Sequence, residues 1–247
     1  MWKFLYRLAS PKNFYQFSER WTFTVGISSL LLITIGIVWG LCFAPADYQQ
    51  GDAFRIIYIH VPGAFLSMAL YAGMGFLAFL LLVWQIKLAG LLISVFAQLG
   101  AAMAFIALIT GSLWGKPMWG TWWIWDARLT SELILLLLYA AIIATSNAYQ
   151  NKDQSDKMVA ILVLVGLVDL PIIHYSVYWW NTLHQGATLT LFSKPKIHSS
   201  MLYPLLINLF GFTLYCIFAI LLKARAELLS RERRQSWVKE IVEGVKQ

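Results

Sequence analysis

With 247 residues, 60% of them hydrophobic and only 13% charged, and a mean hydropathy of +0.66, the chain is far more apolar than a soluble domain. A water-soluble globule is excluded, and because charge-free stretches tile nearly the whole length, one integral membrane domain is expected over residues 1–247. The net charge of +7 bears on sidedness rather than on nucleic acid, and Cys42 and Cys216, each inside an apolar run, offer no disulfide scaffold, CxxC pair or thiolate cage.

A bilayer core takes about 20 apolar residues per helix. Stretches free of Lys, Arg, Asp and Glu cover residues 21–46, 56–86, 88–115, 133–151 and 197–222. A further run from residue 158 is interrupted by Asp169 and Pro171 and resumes as far as Trp180. The expected fold is therefore an all-α membrane protein of six transmembrane helices. Ala44-Pro45-Ala46 resembles a signal-peptide cleavage site, but the apolar run before it exceeds the roughly 7 to 15 residues of a signal core, so the first span is expected to remain as an uncleaved anchor.

Basic residues are unevenly placed. Fourteen lie before the first span, in the second and fourth loops and in the basic tail 223–247, against five in loops one, three and five: Arg55, Lys116, Arg128, Lys194 and Lys196. The positive-inside rule then puts both termini in the cytoplasm and the odd-numbered loops in the periplasm of a Gram-negative cell. In the tail, Trp237, Val238, Ile241, Val242 and Val245 recur at helical spacing, read as a helix extending the last span; docking on the inner leaflet or on a partner is the competing account.

All four histidines, His60, His174, His184 and His198, fall in or beside outward loops, where two converging imidazoles would hold a metal. Spacing alone does not say which two. The third loop, about 114–130, carries Trp114, Trp119, Trp122, Trp123 and Trp125, five of the chain's 12 tryptophans, more than an interfacial belt accounts for. A helix continuing from Pro117 would set Trp119, Trp122, Trp123 and Asp126 on one face, an aromatic platform ending in a carboxylate, although Gly120 weakens such a helix and an interfacial anchor helix competes. Indoles that cover an apolar macrocycle and imidazoles that bind its iron point to haem, and without a CxxCH motif the group expected is non-covalent haem b. Arg55, Lys116 and Arg128 are the outward cations nearest in sequence for its propionates, with interfacial snorkelling as the other account of Lys116. Glu132 reads as a first-turn carboxylate at a capped helix start, and Asp169 as either a relay group or a locally paired acid beside a proline kink. No GxxxxGK[ST], HExxH or GxSxG motif occurs, so neither nucleotide hydrolysis nor another enzymatic activity is expected.

Five segments, FAPADYQQG, IIYIHVPGA, GKPMWGTWW, WGTWWIWDARLT and IIHYSVYWWNTLHQG, resemble in order and spacing the cytochrome c maturation protein C family of haem exporters, with its tryptophan-rich WWD signature. The resemblance covers most of the chain and is weakest in the tail. It implies a multi-pass protein of the bacterial inner membrane that binds haem at its periplasmic face and delivers it to a periplasmic chaperone, cytochrome c maturation protein E. It further implies His60 and His184 as axial ligands of the iron, with the WWD loop between them. Implied partners are an ABC-type ATPase with its permease, a small single-span helper subunit and membrane lipid. A b-type electron-transfer subunit is the rival of another class; it would usually set histidines at two depths. A solute permease built on Asp169 leaves the tryptophans unexplained.

Overall fold

A computed structural model of the protein describes residues 10–184, 186, 194–242 and 244. Six helical stretches of 22 to 33 residues are long and apolar enough to cross a membrane. Helix α1 (Pro11–Val38) begins with proline at its first position, where a missing N–H is no loss, and ends in a wide turn, Trp39–Phe43. A short 3-10 turn, Asp52–Ile56, leads into α2 (Ile57–Trp84), and Gln85, in the left-handed region at φ 55°, turns the chain into α3 (Lys87–Trp119). Then come α4 (Ala127–Ala148), α5 (Lys152–Gly166), α6 (Asp169–Trp179), α7 (Ser199–Arg231) and the short α8 (Ser236–Val242). Among the described residues there is no strand, only an isolated bridge between Asp47 and Gly51.

The α2–α3 hairpin occupies the middle. On one side Tyr71, Met74, Ile93 and Ala97 pack against Leu135, Tyr139 and Ile142 of α4 and Val159 and Val163 of α5. On the other, Leu66, Leu70, Leu99 and Met103 meet Tyr15 of α1 and Cys216 and Ala219 of α7. Helix α1 turns its small and polar residues inward: Ser18, Thr22, Ser29 and Gly36 are buried while Phe23, Leu30 and Leu31 face outward. That inversion suits a lipid surround, where apolar side chains gain nothing by burial and small residues allow close helix contact. Ser18 and Thr22 donate to carbonyls of their own helix, so neither hydroxyl is stranded.

The fifth span is broken where its proline requires it. Pro171 has no N–H for the Leu167 carbonyl, which instead accepts from Leu170 N–H at 3.2 Å, and a turn at residues 167–168 separates α5 from α6. Several spans outrun the charge-free windows. Helix α3 passes through Lys116 and Pro117, and α4 starts early enough to include Arg128 and Glu132. Glu132 is thus not a first-turn carboxylate, since Asp126, six residues before it, is the N-cap.

Helix α7 continues past Lys223 to Arg231, as the extended-span reading of the tail expects. Arg231 then pairs with buried Asp156 at 2.6 Å and with Glu227 at 2.8 Å. Beyond a turn, α8 tucks Val238 inward and sets Trp237 against Tyr15, ring centres 5.8 Å apart, whereas Ile241 and Val242 stay exposed. Val245, and the basic residues Lys3, Arg7 and Lys246, lie outside the described residues.

Candidate functional site

At the end of the bundle opposite α8, a cavity of about 170 Å³ opens between α2, α3, α4 and the segment after α6. Its walls include His60, Trp114, Trp119, Trp123, Arg128 and Glu132, with His184 completing them. Each arrives for a local reason.

His60 sits in the first turn of α2, and its Nδ1 lies 3.1 Å from the Ala107 carbonyl and 3.0 Å from Thr110 Oγ1. Thr110 donates its own hydroxyl hydrogen to Ile106 O at 2.6 Å, so both neighbours act as acceptors and Nδ1 carries the proton. Nε2 is left with the lone pair, the state a metal ligand requires. Glycine at 111 leaves room for the ring: a Cβ there would stand 3.2 Å from His60 Cε1.

His184 belongs to no helix. Its N–H donates to Thr182 Oγ1 at 3.1 Å, and the Thr182 hydroxyl donates to Asp126 Oδ2 through a short hydrogen bond. The other Asp126 oxygen accepts from Leu129 N–H at 2.8 Å and caps α4. One carboxylate therefore starts the helix that carries Arg128 and Glu132 and also ties down the segment that carries His184. The ring centres of His60 and His184 lie 6.4 Å apart, with planes 35° from parallel.

The other two histidines are elsewhere. His174 is exposed on α6 against Tyr175, and His198 caps α7, its Nδ1 accepting from Ser200 N–H at 3.3 Å. Among the described residues no group of three or more His, Cys, Asp or Glu side chains could hold a bare metal ion. A pair of imidazoles suits a metal that brings its remaining ligands with it, as iron in a macrocycle does.

The expected aromatic platform does not form. Gly120 takes the left-handed conformation at φ 76° and ends α3 at Trp119, with Gly120 N–H and the Lys116 ammonium closing the last turn; residues 120–126 are not helical. Trp119, Trp122, Trp123 and Asp126 consequently share no helical face. Trp119 and Trp123 reach the cavity from either side of the bend, and Trp114 joins them from α3, edge-on to His60 at 5.6 Å with its indole N–H on Gln50 Oε1 at 2.8 Å. Trp119 stands 6.3 Å from His184. Trp122 and Trp125 face outward, 54% and 76% exposed, the first beneath Lys116 and the second edge-on to Trp123. The buried Trp123 indole nitrogen has no hydrogen-bond partner.

Of the two arginines, Arg128 lines the cavity and donates to the Ile173 carbonyl at 3.0 Å. Arg55 is turned away: it pairs with Asp52 at 2.8 Å and donates to the Gly40 and Leu41 carbonyls at 3.1 and 3.0 Å, closing the wide turn after α1. The sequence reading missed Gln50 and Thr182, and it gave Glu132 only a structural part. Glu132 is 8% exposed, lines the cavity and accepts from Ser67 Oγ at 2.8 Å. Its position four residues after Arg128, on the same helix face, was the available signal. Asp169 is buried and its Oδ2 has no hydrogen-bond partner.

The chain matches the family model described as Heme exporter protein C over residues 4–239. Heme exporter protein C of Escherichia coli (strain K12) is 50% identical over 242 residues, 98% of each chain. That of Haemophilus influenzae is 48% identical over the whole of both chains, and a putative cytochrome c biosynthesis ccmC-like mitochondrial protein of Marchantia polymorpha is 39% identical over 81% of this chain and 84% of its own. Six apolar spans and these bacterial relatives make the chain a multi-pass protein of the bacterial inner membrane. With the match running through every span and every wall of the cavity, the chain belongs to the Heme exporter protein C family.

Proposed function

We propose that this protein binds haem b, without covalent attachment, in the cavity between His60 and His184, and hands it to a periplasmic haem chaperone, cytochrome c maturation protein E, for the assembly of c-type cytochromes. The spacing of the two imidazoles carries the reading. An iron bound by two imidazole nitrogens at about 2 Å each needs ring centres about 6 Å apart, and the observed separation is 6.4 Å. Trp114, Trp119 and Trp123 then supply apolar faces for the macrocycle, and Arg128 is the cation within reach of a propionate. Arg55 acts indirectly, by fixing the loop that brings Gln50 to Trp114. The cavity is smaller than the roughly 300 to 1,000 Å³ of an enclosed ligand pocket, so a macrocycle projects from it. Trp122, Trp125 and Lys116 flank the projecting edge, where an acceptor would dock.

Both chain ends are cytoplasmic and the cavity is periplasmic, a reading supported by the excess of basic residues at the α8 end. The chain carries no nucleotide-binding motif, so an ABC-type ATPase with its permease would supply the energy of release, alongside a small single-span helper subunit. The test is the absorption spectrum of the purified protein before and after reduction. Wild type and His198→Ala should show a six-coordinate, bis-histidine haem, while His60→Ala and His184→Ala should lower or alter it and abolish delivery. Equal loss in all three variants would sink the assignment.

A further inference from the structure

Among the described residues lining the cavity only two are charged, Arg128 and Glu132. They stand four residues apart on α4, one turn of the same face, and about 6 Å apart along the helix axis. Arg128 is nearer the Asp126 cap that starts α4; Glu132 lies one turn further along the helix. The Glu132 carboxylate is held in place by Ser67 of α2, whose own carbonyl accepts from Tyr139 at 2.7 Å. A carboxylate at this depth is costly unless something positive meets it, and a charge inside the membrane region marks function more often than stability. Arg128 meets part of that need, but its guanidinium is engaged with the Ile173 carbonyl.

A metal macrocycle with peripheral carboxylates has the matching pattern of charge. Its rim is anionic, and its centre is cationic when the metal is trivalent and neutral when the metal is divalent. Arg128 answers the rim. We propose that Glu132 answers the centre: it is a specificity-determining residue that makes the cavity prefer a macrocycle whose central metal carries a net positive charge. This deepens the haem-binding reading and rests on it, since it assigns an oxidation-state preference to the same cavity. The competing account of Glu132 is purely architectural, a hydrogen bond that ties α4 to α2. Glutamine at 132 preserves that bond, because its amide oxygen also accepts from Ser67, and it removes only the charge.

The experiment compares gallium(III) protoporphyrin, with a cationic centre, and zinc(II) protoporphyrin, with a neutral one, by titration into detergent-purified protein with an optical readout. Both compounds are also titrated with free imidazole in the same detergent. Wild type should favour gallium over zinc by more than free imidazole does. Glu132→Gln should lose about tenfold of that preference, all of it through weaker gallium binding, the order expected of one unit charge acting over ~10 Å at an effective dielectric constant of about 20. Glu132→Asp, which keeps the charge, should retain most of it. A wild-type ratio no greater than that of free imidazole overturns the proposal without any variant, which covers the case of Glu132→Gln failing to fold. So does a Glu132→Gln protein with the wild-type ratio, or an aspartate variant as impaired as the glutamine one. Failure of wild type to bind either compound through His60 and His184 would instead defeat the haem-binding reading beneath it.

Discussion

Asp126 serves two elements with one side chain, and its two contacts can be separated. Its Oδ1 caps α4 through Leu129 N–H, while its Oδ2 holds Thr182 and, through it, the backbone of His184. Loss of an N-cap costs about 1 kcal/mol, and a hydrogen bond to a charged group contributes roughly 1.5 to 3 kcal/mol. Asp126→Ala should therefore lower both the thermal stability of the purified protein and its haem content. Thr182→Val removes only the second contact, so its haem content should fall nearly as far while its melting temperature stays closer to wild type. Parallel thermal unfolding and haem quantitation on the two variants check this, and equal melting temperatures would show that the cap contributes nothing.

The sequence shows the acid and the tryptophans but not this division of labour. Thr182 lies far from Asp126 along the chain, and nothing in the spacing of either announces the other. The same holds for the histidines. All four fall in or beside the odd-numbered loops, and the packing of α2 against α3 and the tether of the 182–184 segment bring His60 and His184 together.

At the scale of elements, existence was readable and boundaries were not. A run of about 20 apolar residues is a coarse and reliable signal of a span. Where a helix stops is decided by single residues, here Gly120 after α3 and Asp126 before α4, which a window of about 20 residues does not resolve. The charge-free windows end α3 at Gly115 and begin α4 at Leu133, leaving Arg128 outside the helix that carries it and Glu132 in a first turn that in fact starts six residues earlier. The bend matters more than its length suggests, because Trp119 precedes it and Trp123 follows it, and both line one cavity. Gly120→Ala forces a Cβ into the left-handed region at a cost of about 1 to 2 kcal/mol. The expected result is a lower melting temperature together with weaker haem binding. A variant with wild-type haem affinity would show that the bend does not position the two indoles.

For the whole molecule, an even number of spans returns the chain to the side on which it began. Among the described residues, contacts at one end of the bundle join the start of α1 to α7 and α8: Arg225 lies over the Tyr15 ring and 3.4 Å from Glu19, and Trp237 reaches back to Tyr15, while Lys87 pairs with Asp153. The cavity is at the other end. Reporter fusions at Gln247 and after Lys116 should accordingly report opposite sides of the membrane, cytoplasm and periplasm. Both fusions reporting the same side would overturn the orientation and the placement of the site. The inward polar face of α1 was less readable, since Ser18, Thr22 and Ser29 look unremarkable in a sequence where almost everything else is apolar.

The two imidazoles are not held alike. His60 is part of a helix, with its Nδ1 fixed on a carbonyl of the neighbouring span, whereas His184 lies outside the helices, on a segment whose backbone is tied through Thr182 to Asp126. A guest gripped by two equal anchors must lose both before it can leave, and it leaves slowly, into water. On the proposed function, such unequal anchors would allow substitution in sequence: an incoming ligand would displace His184 first, with His60 still holding the group. Residence time and turnover would then be set by different residues, and a tightly retained cargo could still be surrendered quickly to the right acceptor.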